Sequence, residues 1–179
     1  MIITAIRHTS VNVPSGICYG ITDVPLALTF RSELESIRQK LADETFDAVF
    51  SSPLSRCTKL ATELFPEEQL RIDHCLTELD FGDWEMMPWN TIFESRDGKK
   101  WFADYVNVRC PGGESFTDLI QRGKSFLEDL HDTKYSRIVI FTHAGIIRAM
   151  MCLIQRKTPE EAFQTPLVYG QILSFNLQR

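Results

Sequence analysis

An alternation of strand and helix patterns is the feature that most constrains how this chain folds. Short β-branched apolar runs predict buried strands, and longer segments with apolar residues three and four positions apart predict amphipathic helices. The predicted strands cover 1–6, 48–51, 70–73, 137–142 and 172–177, and the predicted helices cover 30–41, 53–64, 116–130 and 145–154. Because strands and helices alternate, we expect an α/β three-layer sandwich, in which helices cover both faces of a mainly parallel sheet.

The length of 179 residues and an ordinary composition, with 44% hydrophobic and 24% charged residues, fit one soluble globular domain. Since no repeat, low-complexity stretch or linker-like segment interrupts the chain, we expect a single domain over 1–179. The net charge of −5 argues against nucleic acid and anionic membranes as partners. No apolar run approaches the roughly 20 residues that span a bilayer, and no signal peptide pattern is visible, so we expect a cytoplasmic protein.

The cysteine pattern bears on cofactors. The chain has five cysteines, an odd number, and none of them belongs to a C-x-x-C pair. This pattern argues against a disulfide framework and against a zinc ribbon. We therefore expect the cysteines to be small core residues, and we expect neither a metal nor another cofactor.

Five polar or charged side chains fall close to the ends of predicted strands. Arg7 and His8 follow the first strand, and His143 follows the fourth. Arg56 lies in the first turn of the helix after the second strand, and Glu78 lies just after the third. Because ligands bind at the carboxyl ends of parallel strands, we expect these five side chains to gather at one edge of the sheet.

This set of residue types suits phosphoryl transfer. The planar forks of two arginines match phosphate oxygens, and a neutral imidazole with one nitrogen fixed can attack phosphorus. A second histidine can donate a hydrogen bond to a phosphoryl oxygen, and a glutamic acid can protonate the leaving oxygen. The assembly therefore predicts a reaction through a phosphohistidine, with no metal required.

Other phosphate chemistries lack their motifs. The triplet at 123–125 (GKS) resembles the end of a P-loop, but Asp118 stands where the first glycine is required. No cysteine is followed by an arginine at the spacing of a cysteine phosphatase, and there is no D-x-D stretch for an aspartyl nucleophile. No H-E-x-x-H or comparable zinc spacing is present either.

The same residues lie in blocks that resemble the histidine phosphatase superfamily, also called phosphoglycerate mutase-like. Its hallmark Arg-His-Gly is matched at 7–9 (RHT), and its Ser-Ser-Pro-Leu-x-Arg block is matched at 51–61 (SSPLSRCTKLA). Three further blocks are matched at 78–85 (ELDFGDWE), 111–115 (PGGES) and 141–148 (FTHAGIIR). The blocks follow the family's order over nearly the whole chain.

The resemblance implies a phosphoglycerate mutase-like fold and a role for each matched residue. It makes His8 the nucleophile and Glu78 the proton donor, while Arg7, Arg56 and His143, together with His8, bind the phosphate. The chain departs from the family at three points.

Thr9 and Ala144 replace glycines that are usual in the family, and Pro14 stands where the family often has an asparagine. Asn12, two positions earlier, is therefore a candidate phosphate contact.

Within the family, the loop at 16–26 (GICYGITDVPL) most resembles the α-ribazole-5′-phosphate phosphatases of cobalamin nucleotide-loop assembly. This implies a small, nucleotide-like phosphorylated metabolite as substrate, with Tyr19 and Gly20 as candidate substrate-binding residues. The aromatic-rich, irregular segment 79–113 is the candidate lid or pocket wall. The sequence does not predict an oligomeric state.

Two other functions stay open. A phosphoglycerate mutase-like enzyme, or a phosphatase of broad specificity for sugar phosphates and nucleotides, would use the same residues. A non-catalytic phosphate-binding member is the other alternative, and we would expect it to lack one of the catalytic residues, all of which are present here.

Overall fold

Five strands form one mixed sheet in the computed structural model, which describes residues 1–178. The strands are β1 (Ile2–Arg7), β2 (Ala48–Ser51), β3 (Leu70–Ile72), β4 (Arg137–Thr142) and β5 (Ile172–Asn176), in the order β3-β2-β4-β1-β5. The first four strands run parallel, and β5 lies antiparallel to β1 at the edge. The mainly parallel sheet expected from the sequence is confirmed.

Seven α-helices lie within the described residues. They are α1 (Phe30–Lys40), α2 (Ser55–Leu64), α3 (Trp89–Glu94), α4 (Arg96–Ala103), α5 (Phe116–Asp129), α6 (Ala144–Gln155) and α7 (Pro159–Gln164). None of these helices combines the length and apolar character needed to cross a membrane.

The central strand β4 shows why helices cover both faces. Successive side chains of a strand point to opposite faces. Val139 and Phe141 therefore pack with the buried face of α1 and α2, and Ile138 and Ile140 pack with α5 and α6. All four side chains are fully buried. Because alternate side chains of β4 are buried against helices on opposite faces, the sheet is the middle layer of the expected three-layer sandwich.

The segment 79–113, expected to be irregular, contains α3 and α4. The helices follow local capping and aromatic burial rather than a long apolar period. Ser95 begins α4 by accepting a hydrogen bond from the backbone N–H of Gly98 (2.9 Å). Trp84 and Trp101 are buried together with Cys110 in a small satellite core. This satellite core lies apart from the two cores that flank the sheet.

Helix α2 begins two residues later than expected. The sequence favours a start near residue 53 with Ser52 as the cap, but the first helical residue is Ser55. The carboxylate of Asp23 accepts hydrogen bonds from the Ser55 backbone N–H (2.9 Å) and hydroxyl (2.8 Å). The Ser52 hydroxyl instead lies 2.8 Å from Nε2 of His143. A side chain expected to cap a helix is thus used at the carboxyl edge of the sheet.

Candidate active site

His8 directly follows β1 and is held against β4. Its backbone N–H donates to the carbonyl of Thr142 (3.0 Å), and its side chain is buried. Nδ1 lies 2.8 Å from the carbonyl oxygen of Thr9. Because a carbonyl only accepts, Nδ1 carries the proton and Nε2 keeps its lone pair. Burial and the charge of Arg56 lower the pKa of His8 to about 3, so the ring is neutral at neutral pH.

His143 follows β4 and lies beside His8. The centroids of the two rings are 5.1 Å apart, and the ring planes are tilted by 60°. The Ser52 hydroxyl accepts from the Leu54 backbone N–H (3.3 Å) and lies 2.8 Å from Nε2 of His143. A hydroxyl can donate and accept at once, so this contact holds the ring in place for either tautomer. Burial is the main cause that holds the pKa of His143 well below its ordinary value, and coupling with the titrating ring of His8 and the charge of Arg56 lowers it further.

Arg56 lies fully buried in the first turn of α2. Its guanidinium donates to the carbonyls of Thr22 (2.9 Å) and Gly20 (2.5 Å), and it forms no ion pair within residues 1–178. The loop that carries these carbonyls is held by Glu85, whose carboxylate accepts from the backbone N–H groups of Gly20 (3.0 Å) and Thr22 (3.1 Å). Glu85 therefore fixes the loop whose backbone carbonyls bind the Arg56 guanidinium.

Arg7 occupies the last position of β1 and is tied to the C-terminal loop. Its guanidinium donates to the carbonyl of Leu167 (2.5 Å) and lies 4.1 Å from the centroid of the Tyr169 ring. The Tyr169 hydroxyl is 2.6 Å from the hydroxyl of Tyr19, a predicted substrate-binding residue. The Tyr169 ring is also 5.5 Å from the His8 ring. Two tyrosines from distant loops thus meet beside the imidazole.

Glu78 is held by the start of α6. Its Oε1 accepts from the backbone N–H of Gly145 (3.0 Å). Its own backbone is anchored by Arg122 on α5, which donates to the carbonyls of Thr77 (2.7 Å) and Glu78 (3.1 Å). Arg122 is in turn paired with Glu114, with Nη2 and Oε2 2.9 Å apart. The chain segment before Glu78 is therefore fixed by a side chain that the sequence reasoning did not select.

A cavity of about 280 Å³ opens beside these groups. Arg7, His8 and Glu78 contribute its polar wall. The expected wall segment 79–113 contributes aromatic residues to the lining, among them Trp89 and Trp101. Whether this segment closes as a lid remains a prediction.

Arg56 and His143 are fully buried and are not among the residues that line this cavity. The structure nevertheless brings all five predicted side chains to the carboxyl edge of the sheet. Two of the other three predicted residues, Tyr19 and Gly20, lie beside Arg56. Tyr19 lines the cavity, and Gly20 contributes only its backbone.

Asn12 is exposed and is not part of the cavity lining. Its backbone N–H donates to the carbonyl of Pro25 (2.8 Å), and its role as a phosphate contact remains a prediction. Within residues 1–178, no group of three or more His, Cys, Asp or Glu side chains is placed to hold a metal ion.

The sequence over residues 3–179 matches the histidine phosphatase superfamily (branch 1). The chain belongs to this superfamily. The resemblance found in the sequence blocks is confirmed, and so is the phosphatase class of enzyme.

Several curated relatives of this superfamily member are named as phosphatases. Phosphoserine phosphatase 1 of Hydrogenobacter thermophilus is 28% identical over 146 residues, which cover 79% of this chain and 69% of the relative. The adenosylcobalamin/alpha-ribazole phosphatase of Escherichia coli is 26% identical over 153 residues, which cover 82% of this chain and 75% of the relative. The two names differ in substrate, so they support the reaction class and leave the substrate open.

A solved structure has the same fold. The alpha-ribazole phosphatase from Shigella flexneri superimposes with a TM-score of 0.89 over 100% of this chain and 92% of that chain. The two sequences are 23% identical, so this likeness concerns the fold alone.

Proposed function

We propose that this chain hydrolyses phosphate monoesters through a phosphohistidine formed on His8. The observation that carries the proposal is the state of the His8 ring. Its Nδ1 is engaged by the Thr9 carbonyl, and burial and the charge of Arg56 lower its pKa to about 3. A neutral imidazole with an unprotonated Nε2 is a nucleophile at neutral pH.

Arg7 and Arg56 supply the charge that a phosphoryl group needs. Neither guanidinium pairs with a carboxylate in the described part of the chain, so neither positive charge is neutralised there; Arg7 lines the cavity, and the buried Arg56 adds to the positive potential beside it. His143, whose ring lies 5.1 Å from that of His8, is the proposed further hydrogen-bond donor to the phosphoryl group. Such fixed donors stabilise developing charge with little reorganisation during the reaction.

The reaction takes place in two steps. In the first, Nε2 of His8 attacks phosphorus in line, and the bond between phosphorus and the leaving oxygen breaks. Glu78, protonated at the start, gives its proton to that oxygen. In the second step, Glu78 takes a proton from water as the water oxygen attacks phosphorus, and the P–N bond breaks. The products are an alcohol and inorganic phosphate, and both side chains return to their starting states.

Trapping the intermediate tests this proposal. The enzyme is mixed with a ³²P-labelled aryl phosphate and quenched within one turnover in alkali. We expect label on the wild-type protein in a linkage that is stable to base and labile to acid, and no label on His8→Ala. Label of equal amount on His8→Ala would assign the nucleophile to another residue.

Three observations support α-ribazole 5′-phosphate as one candidate substrate, with cytoplasmic cobalamin nucleotide-loop assembly as the role. The loop at 16–26 resembles that group of phosphatases, and the Escherichia coli relative carries that name. The aromatic wall that includes Trp89 and Trp101 offers a surface for a flat base. Relative kcat/KM values for α-ribazole 5′-phosphate, nucleotides and sugar phosphates test this choice.

A second substrate class is favoured by one observation. Arg148 lines the same cavity as Glu78, which favours a monoester whose leaving group carries a carboxylate. Phosphoserine belongs to this class, and one relative is named for it.

The products formed from 3-phosphoglycerate distinguish a phosphatase from a mutase. Hydrolysis releases inorganic phosphate, whereas mutase activity returns an isomeric phosphoglycerate.

A further inference from the structure

A third arginine, Arg148, lines the same cavity as Arg7 and Glu78. It lies on α6, three residues after Gly145, and residues at this spacing share one face of a helix. The backbone N–H of Gly145 donates to Glu78 (3.0 Å), so this face of α6 borders the proposed proton donor. Because Glu78 protonates the leaving oxygen, Arg148 is placed on the leaving-group side of the cavity.

The side chain of Arg148 has no polar partner within residues 1–178. Its Nε is buried without a hydrogen bond. The Arg148 guanidinium forms no ion pair with Glu78 or with any other described carboxylate. Its guanidinium carbon lies 4.9 Å from the centroid of the Phe163 ring. Burial lowers the pKa of Arg148, although nearby Glu78 raises it. A partly buried cation that lines a cavity without a carboxylate partner is available to an anionic ligand.

The two arginines proposed to hold phosphate show the same feature. Nε is buried and unpartnered in Arg7 and Arg56, as it is in Arg148. The other described arginine of this kind, Arg137, begins β4 at the opposite end of the sheet and is paired with Glu44. Arg148 thus shares its unpartnered Nε and its lack of a carboxylate partner with the two arginines proposed to hold phosphate.

We propose that Arg148 binds a carboxylate on the leaving group and so selects carboxylate-bearing phosphate monoesters. The inference rests on the proposed phosphatase function and deepens it by naming a substrate class. A single planar guanidinium matches a carboxylate through two parallel hydrogen bonds. A second phosphoryl group would require more charge, since the proposed phosphate site uses two arginines and two histidines for one.

Matched pairs of substrates test the proposal. Phosphoethanolamine has a hydrogen where phosphoserine has its carboxylate. Glycerol 3-phosphate has a hydroxymethyl group where 3-phosphoglycerate has its carboxylate. A charge-assisted bidentate contact predicts a wild-type kcat/KM about 10- to 100-fold higher for the carboxylate member of each pair. In Arg148→Met we expect this ratio to fall toward one, whatever happens to the absolute rates, and in Arg148→Lys we expect partial recovery.

A control variant addresses nonspecific effects of charge removal. Arg31 lies on α1, against the opposite face of the sheet, with its side chain 74% exposed. We expect Arg31→Met to keep the wild-type ratio in both pairs. In Arg148→Met, preference should also move from phosphoserine toward α-ribazole 5′-phosphate, which has no carboxylate.

Another role for Arg148 predicts a different result. If it only balanced the charge of Glu78, Arg148→Met would lower both members of a pair equally and shift the pH profile of kcat/KM for both. That outcome would overturn the inference, and so would equal wild-type kcat/KM values within both pairs.

Binding to an inactive protein separates this inference from the reaction mechanism. In the His8→Ala background, calorimetry should give a Kd for phosphoserine about 10- to 100-fold lower than for phosphoethanolamine. Adding Arg148→Met should remove that difference. A wild-type enzyme that hydrolyses no monoester would refute the proposed function, whereas equal Kd values in the His8→Ala background would refute the role of Arg148.

Discussion

The rings of His8 and His143 lie 5.1 Å apart, and neither has a carboxylate hydrogen-bonded to it. Their polar partners in the described structure are the Thr9 carbonyl for His8, and the Ser52 hydroxyl with the Cys57 thiol for His143. With Arg56 and Arg7 adding positive charge around them, both rings fold in the neutral form. No carboxylate of the described structure therefore neutralises the positive charges of Arg7 and Arg56 beside the two rings.

This arrangement predicts a loss of folding stability in mild acid. The folded pKa of His8 is about 3, whereas the ordinary value is 6.5. Between these values the unfolded chain binds a proton that the folded chain does not, so stability is present above pH 6.5 and falls as the pH decreases. Each such histidine contributes a slope of about 1.4 kcal/mol per pH unit in that window.

Urea denaturation from pH 7.5 to 4 measures this slope, and His8→Asn isolates one histidine. We expect the variant to lose less stability than the wild type over the same range. The exposed residue His74 provides the matched control, since His74→Asn should keep the wild-type slope. An identical slope in His8→Asn would mean that His8 is protonated in the folded protein.

Removing the nucleophile should separate binding from turnover. We expect His8→Ala to lower kcat for an aryl phosphate by at least about 10³-fold, because the variant lacks the imidazole proposed to form the covalent intermediate. Phosphate should still bind, since Arg7 and Arg56 remain. Steady-state kinetics and phosphate titration calorimetry check both statements, and turnover near the wild-type rate would remove His8 from this role.

The role of Glu78 predicts a dependence on the leaving group. An alkoxide needs a proton as it departs, whereas nitrophenolate leaves readily without one. We therefore expect Glu78→Gln to lower kcat/KM for alkyl phosphates by about 10²-fold or more and for p-nitrophenyl phosphate by much less. A plot of rate against leaving-group pKa should become steeper in the variant. Equal losses for both esters would indicate a binding role instead.

Glu85 predicts an indirect effect on the phosphate site. It accepts hydrogen bonds from the loop whose Gly20 and Thr22 carbonyls hold Arg56. Burial raises the pKa of Glu85, but the hydrogen bonds from Thr22 and Gly20 lower it on balance, so it folds as the carboxylate. We expect Glu85→Gln to raise the KM for phosphate esters about tenfold, because each charge-assisted bond is worth about 1.5–3 kcal/mol.

The nearby, exposed Asp83 gives a control for Glu85. Asp83→Asn removes a carboxylate two positions away that accepts none of those loop hydrogen bonds. Its KM should remain at the wild-type value. If Glu85→Gln also kept the wild-type KM, the loop would not depend on the carboxylate.

The strands and the gathering of the five predicted residues could be expected from the sequence because each depends on local pattern. Buried strands such as β4 are β-branched runs, and the residue after each strand reaches the same edge of a parallel sheet. The family blocks added the order of these residues along the chain. Helix α7 also has a visible local signal, a capping box from Thr158 to Glu161, that the sequence reasoning did not use.

The supporting contacts could not be expected in the same way. Arg122, Tyr169 and Arg148 reach the site from α5, a C-terminal loop and the second turn of α6, through contacts between residues far apart in sequence. An arginine on a helix face is most often a solvated surface residue, so only the packed structure distinguishes these side chains.

Arg122 supports a last prediction, on the positioning of Glu78. Its guanidinium donates to the carbonyls of Cys75, Thr77 and Glu78, and pairs with Glu114, so it fixes the segment that carries the proton donor. A lysine cannot reproduce this planar fork. We expect Arg122→Lys to lower kcat for alkyl phosphates about 10- to 100-fold while changing the p-nitrophenyl phosphate rate far less, the same pattern as Glu78→Gln. Equal losses for both esters, accompanied by a lower Tm, would show that Arg122 acts only on stability.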